Sequence, residues 1–134
     1  MKIRQHGFTL IEILIVVAIL GIIAAIASNS FSGQVISAKR TDARKTLQET
    51  ATVLERCKAT YGVYNNNCSV GGASIISPEG LYSIAFTTLT ASQFKLTASP
   101  VAGLPQANDA DCTALTLDNL GQQDGTGADS AVCW

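Results

Sequence analysis

Few residues in this chain of 134 are of a type and spacing that could do chemistry. A carboxylate, Glu12, is the one charge in an apolar run at residues 8–27. A lone histidine, His6, precedes that run, and four cysteines, Cys57, Cys68, Cys112 and Cys133, follow it with no CxxC spacing. A carboxylate inside an apolar helix costs roughly 2–3 kcal/mol at mid-membrane, so its presence calls for a partner charge. A Cys/His zinc site and a Ser/His/Asp triad both need histidine, and His6 lies in a segment expected to be removed. No Gly-rich phosphate loop or paired catalytic carboxylate motif occurs. The reading is a protein that is not an enzyme, with no catalytic residue, metal site or cofactor. An even cysteine count beside an export-type N-terminus predicts disulfides in an oxidising compartment rather than buried free thiols.

The elements that position these residues begin with a short basic leader, MKIRQHG. The apolar run after it carries only Thr9, Glu12 and Gly21 as interruptions and inflates the hydrophobic share of 47%. A secretory signal peptide has a similar start, and Ala25-Ile26-Ala27 could serve as its cleavage site. Two features resist that reading. The run is about 20 residues, long enough to cross a bilayer, and Glu12 sits in its first turns. Net charge is −1; without Lys2 and Arg4, seven basic side chains face ten acidic ones, a net of −3. A nucleic-acid binder usually presents a basic patch, so that class is not favoured.

Gly7-Phe8-Thr9-Leu10-Ile11-Glu12, with its basic leader and the helix IVVAILGIIAAIA behind it, resembles the type IV prepilin signature. The resemblance is strong over residues 1–60 and weaker in the head. It implies cleavage between Gly7 and Phe8 by a dedicated prepilin peptidase on the cytoplasmic face, then N-methylation of Phe8. Lys2 and Arg4 would keep the leader inside. Gly7 lets the peptidase approach the backbone. The resemblance also implies that Glu12 pairs with the Phe8 amine of a neighbouring subunit. In a dry fibre core each charge alone would cost several kcal/mol, so Phe8 and Glu12 act as a register selector for assembly. The implied partners are identical or homologous pilin subunits, the prepilin peptidase, an assembly platform with its ATPase, and the inner membrane before assembly. The implied locations are a single-pass precursor in the inner membrane, then an extracellular fibre. One departure concerns Asn29, where the family commonly has proline. Gly21 and the helix-poor Ser28, Asn29 and Ser30 still predict local loosening between residues 21 and 30, less enforced than proline would make it.

Beyond Gly33, Ile36, Ala43, Leu47, Thr50, Leu54, Cys57 and Tyr61 recur at helical spacing. One long helix is therefore predicted from near Phe8 to about Thr60, apolar all round in its first half and amphipathic in its second. The cluster Lys39, Arg40, Arg44 and Lys45 is expected on a solvated face, against lipid headgroups, or against acids of a neighbour such as Asp109, Asp111, Asp118, Asp124 and Asp129. Residues 61–80 are rich in turn formers and read as a surface loop. Residues 81–87, 93–98 and 113–118 alternate as strands. The fold class is α+β: a long N-terminal α-helix on a small antiparallel sheet of about three to four strands, with a disulfide-bounded C-terminal region. The organisation is residues 1–7 as leader, 8–31 as the transmembrane and filament-core half of the helix, and 32–134 as the head.

Four cysteines allow three pairings. Cys57–Cys68 and Cys112–Cys133 are expected, because sequential pairs need no long-range coincidence and the second fits the family's disulfide-bounded C-terminal region. The tail at 119–134 lacks periodicity and is expected to be irregular, with Trp134 as an anchor beside the disulfide rather than an exposed recognition residue. The leading function is a structural subunit of a type IV pilus, serving adhesion, twitching motility or DNA uptake. A DNA-receptor minor pilin is an alternative with DNA as a less favoured partner, since Lys95 is the only basic residue after Lys58. A type II secretion pseudopilin is a third reading, disfavoured by the two expected disulfides and the lack of a recognisable calcium loop.

Overall fold

In a computed structural model of the chain, residues 8–64 and 74–134 are described. They fall into two compact units, Met1–Val35 and Ile36–Trp134. One helix, α1 (Leu10–Tyr61), supplies the described part of the first unit and enters the second. Thr9 starts it: its Oγ1 lies 3.4 Å from the Glu12 N–H, which also donates to the Thr9 carbonyl at 3.1 Å. This Thr-x-x-Glu spacing is that of a capping box, and it sets Glu12 at the positive end of the helix dipole. Gly62 stops α1. Its φ of +77° suits glycine, and its N–H donates to the Lys58 carbonyl at 2.8 Å.

The second unit wraps a sheet around the amphipathic half of α1. The strands are β1 (Ile75–Ile76), β2 (Tyr82–Leu89), β3 (Phe94–Pro100), β4 (Ala114–Asp118) and β5 (Gln123–Thr126), antiparallel and in chain order. Alternation along β2, β3 and β4 turns Tyr82, Ile84, Phe94, Leu96, Ala98, Leu115 and Leu117 inward. Ala43, Leu47 and Leu54 of α1 meet them in one core. The sheet thus has five strands, not three to four. β5 was expected to be irregular tail. It carries no apolar alternation because its place is set by backbone pairing with β4 and by the disulfide behind it. Leu115 pairs with Gly125, and a side chain at Gly125 would stand 2.5 Å from Cys133 Sγ. β1 lies in the expected surface loop and is only two residues long.

Tyr61 was expected on the buried stripe but is exposed. After the Gly62 turn, Tyr64 takes the core position instead. Its ring meets Phe94 edge-on at 5.0 Å, its hydroxyl donates to Glu55 at 2.7 Å, and Lys58 Nζ sits 4.4 Å above it. Burial, then the Glu55 bond, pushes the Tyr64 hydroxyl up to about 12.

The C-terminal segment is closed by Cys112–Cys133, 21 residues apart, a loop whose closure is worth about 3 kcal/mol in the chain-entropy model. Gly127 threads this segment past the backbone of Asp111 at a φ of +143°. A Cβ there would collide with the Asp111 carbonyl, which cannot swing aside. Gly127→Ala is expected to cost about 2–3 kcal/mol, read as a lower denaturation midpoint with an unchanged m-value.

Candidate functional site

Two groups of residues stand out, one in each unit. In the first unit, every described side chain from Phe8 to Ile26 is exposed. Phe8 is 81% exposed, Leu10 79% and Ile26 70%. A helix that is apolar around its whole circumference belongs in a nonpolar surrounding. Among the described residues, no helix is long and apolar enough to cross a membrane, the described side chains of this stretch ending at Ile26. Glu12 is the only charge in the stretch. Among the described residues no cation pairs with it. Phe8, which precedes α1, is exposed as well, as is Glu12.

Met1–Gly7, including His6 and the Gly7 side of the expected cleavage point, lies outside the described residues. So does Cys68, and with it the expected Cys57–Cys68 pairing. The side chain of Asn29 is also outside them, but its backbone belongs to α1, which runs unbroken through Gly21 and on to Tyr61. We propose loosening there for the assembled fibre, where an unbroken hydrogen-bond ladder through residues 21–30 would contradict it.

In the second unit, two of the four neck cations turn inward. Arg40 is 4% exposed. Its Nε donates to Asp109 Oδ2 at 2.7 Å and its Nη2 to Asp109 Oδ1 at 2.8 Å. Its Nη1 donates to the Val132 carbonyl at 3.0 Å. Arg44 adds bonds to the carbonyls of Cys133 at 2.8 Å and Val132 at 3.3 Å. The fork of an arginine matches a carboxylate bidentately, and here it also holds the end of the disulfide loop. Gln106 completes the cluster, donating from Nε2 to the Tyr82 hydroxyl at 2.7 Å and the Ile36 carbonyl at 3.0 Å. The Cys112 N–H donates to Asp109 Oδ1 at 3.2 Å. The Arg40 hydrogen bond holds the Asp109 carboxyl below the usual carboxylate range, against the opposing effect of burial. The same bond raises the Arg40 guanidinium. Burial is the main cause that raises the Tyr82 hydroxyl.

Arg40 and Arg44 are therefore spent within their own head, which corrects the expectation of a solvated or neighbour-facing basic cluster. Lys39 and Lys45 remain exposed. A signal for the difference lies in the sequence: Arg40 precedes Ala43, Leu47 and Leu54 by three, seven and fourteen residues, so it shares their buried stripe. Its partner, 69 residues away, has no local signal. Trp134 acts as an anchor, half-buried against the core with its indole N–H donating to the Asp124 carbonyl at 2.7 Å. Among the described residues, no group of three or more His, Cys, Asp or Glu side chains could hold a metal.

Comparison with known proteins adds a separate line of observation. Residues 29–116 match a family model described as the type IV minor pilin ComP, DNA uptake sequence receptor. Residues 2–28 match the prokaryotic N-terminal methylation motif. The chain is 32% identical over 114 residues to the type IV major fimbrial protein FimA of Dichelobacter nodosus, covering 81% of this chain and 70% of that protein. It is 36% identical over 80 residues to a probable minor fimbrial protein of the same organism, covering 55% of this chain and 50% of the other. It is 34% identical over 83 residues to the type IV major pilin protein PilE of Neisseria gonorrhoeae, covering 61% and 50%. The chain spans about half the length of several curated relatives it matches. Its fold resembles that of the non-core minor pilin PilV of Neisseria meningitidis, with a TM-score of 0.52 at 20% identity over 73% of this chain and 93% of that one.

Proposed function

This chain belongs to the type IV pilin family, and from that premise we propose that it is a structural subunit of a type IV pilus, built into the fibre through α1. The observation that carries the reading is the helix exposed on all sides from Phe8 to Ile26 with Glu12 as its sole charge. Such a surface has two stable surroundings, lipid before assembly and other copies of the same helix after it. Moving from one to the other gains little hydrophobic energy. Packing, and the pairing of Glu12 with a neighbour's Phe8 amine, would set the register. The contact is heterologous, so it repeats into a helical fibre. The test is imaging of cells with and without this chain. Fibres that carry the chain along their length support the reading, and a chain that stays in the membrane while fibres form normally contradicts it.

A second reading, a minor pilin that receives DNA, is favoured by the family model matched at residues 29–116. The charge distribution weighs against strong phosphate binding. Arg40 and Arg44 are occupied, and Lys95 stands alone beyond Lys58. Few available cations mean weak binding with a shallow salt slope. A gel shift of the processed full chain at moderate salt separates the two readings. Sub-micromolar binding would put the receptor role first, and its absence would leave the structural role.

A further inference from the structure

We propose that the head carries a saccharide-binding notch at the end of the sheet where the β2–β3 and β4–β5 turns meet. The notch is a concavity of about 190 Å³ lined by Thr88, Gln93, Phe94, Lys95, Asp118, Asn119 and Leu120. Both turns are braced. In the first, the Thr90 N–H donates to the Gln93 carbonyl at 2.8 Å and the Gln93 N–H to Thr90 Oγ1 at 3.0 Å. In the second, Asp118 Oδ1 accepts the N–H groups of Leu120 and Gln122, each at 2.9 Å. The Asn119 N–H donates to the Phe94 carbonyl at 3.1 Å and ties one turn to the other. Phe94, 2% exposed and backed by Tyr64, forms a fixed floor. The backbone of the site is thus in place before any ligand arrives, which lowers the ordering cost of binding.

The chemistry of the lining selects the ligand class. The amides of Gln93 and Asn119 and the ammonium of Lys95 bond to no described residue. Lys95 and Asp118 stand opposite each other in register but do not form an ion pair. Two amides, a carboxylate oxygen and an ammonium set around a shallow hollow can bond to adjacent hydroxyls, each of which both donates and accepts. Leu120, 76% exposed at the rim, offers an aliphatic surface to a ring face. One cation balanced by one carboxylate does not suit a polyanion, which needs several cations along its backbone. A neutral or singly charged sugar fits both counts. The notch is independent of polymerisation through α1, and a chain defective in assembly would retain it.

The test is titration of the processed full chain in detergent micelles with galactose, N-acetylglucosamine and glucuronate, followed by saturation-transfer NMR. At least one sugar is expected to bind saturably with a Kd on the order of 1 mM. Asn119→Ala and Lys95→Ala should each weaken that binding about tenfold while the unfolding midpoint stays within about 3 °C. Lys95 is exposed and Asn119 half-buried, and neither side chain bonds to another described residue, so folding is expected to be retained. No saturation by any of the three sugars, or binding that survives both substitutions, overturns the proposal. So does a duplex DNA oligomer that binds at these residues where the sugars do not.

Discussion

Fibres are expected to be lost when Glu12 is replaced by alanine, while the head stays folded. The substitution makes the apolar stretch more apolar, so membrane storage should be unharmed. What changes is the subunit contact. The Phe8 amine created by cleavage would enter a dry core with no counter-charge, at a penalty of about 3–5 kcal/mol. At 1.4 kcal/mol per tenfold, that is a drop of roughly two to three and a half orders of magnitude in the equilibrium constant for adding each subunit. The check is the yield of sheared fibres alongside the amount of processed chain in the membrane. Glu12→Gln keeps the shape and a hydrogen-bonding group but no charge, so its yield should fall between the two. Normal fibre yield from Glu12→Ala would show that register is set by packing alone.

Asp109→Ala is expected to be the most damaging single change in the head. It strands the guanidinium of Arg40, 4% exposed, with only the Val132 carbonyl and the distant carboxylate of Asp111 as partners. Breaking a buried pair from one side costs about 3–5 kcal/mol, so the unfolding midpoint should fall by roughly 20 °C or more. The C-terminal carbonyls that Arg40 and Arg44 hold should also gain hydrogen exchange at their neighbouring amides. Replacing the pair together, as Arg40→Met with Asp109→Leu, should recover part of the loss, because the desolvation cost disappears with both charges while the Cys112 N–H and the Val132 carbonyl lose their partners. The pH dependence has a definite sign. The folded-state pKa of Asp109 is depressed by its hydrogen bond to Arg40. Its contribution is therefore fully present above the unfolded carboxylate value of about 3.9 and is lost as pH falls through the lower folded value. An acid titration followed by circular dichroism should show stability falling more steeply below about pH 4 in the parent than in Asp109→Asn.

The parts of the fold legible in the sequence are those with a strong period. The 52 residues of α1 combine an unbroken apolar run with a stripe at 3.6-residue spacing, and β2, β3 and β4 alternate cleanly. Cys112–Cys133 was legible from a late cysteine pair around a tail too polar to hold itself. β5 was not legible, because Gln123, Asp124, Gly125 and Thr126 pair by backbone and leave no apolar pattern. The exchange of Tyr61 for Tyr64 turns on one residue, Gly62, whose positive φ reverses the chain and brings the Tyr64 N–H to the Ala91 carbonyl at 3.2 Å. Arg40 shows a general difficulty. Its position on the stripe says that it is buried, but the acid that makes burial tolerable lies in another element and leaves no local trace. At the N-terminus the balance is reversed. The expected roles of Glu12 and Phe8 come from the resemblance of residues 7–12 to the prepilin signature, and both side chains are exposed in the structure.

We propose that the chain is clipped after Gly7 and polymerises through the helix beginning at Phe8. The most direct test is the intact mass, under non-reducing conditions, of the subunit recovered from sheared surface fibres. The expected result is a chain that starts at Phe8, carries one added methyl group and contains oxidised cysteines. A fibre subunit that still starts at Met1, one cut after Ala27 as a secretory signal peptide would be, or fibres that lack the chain altogether would contradict it.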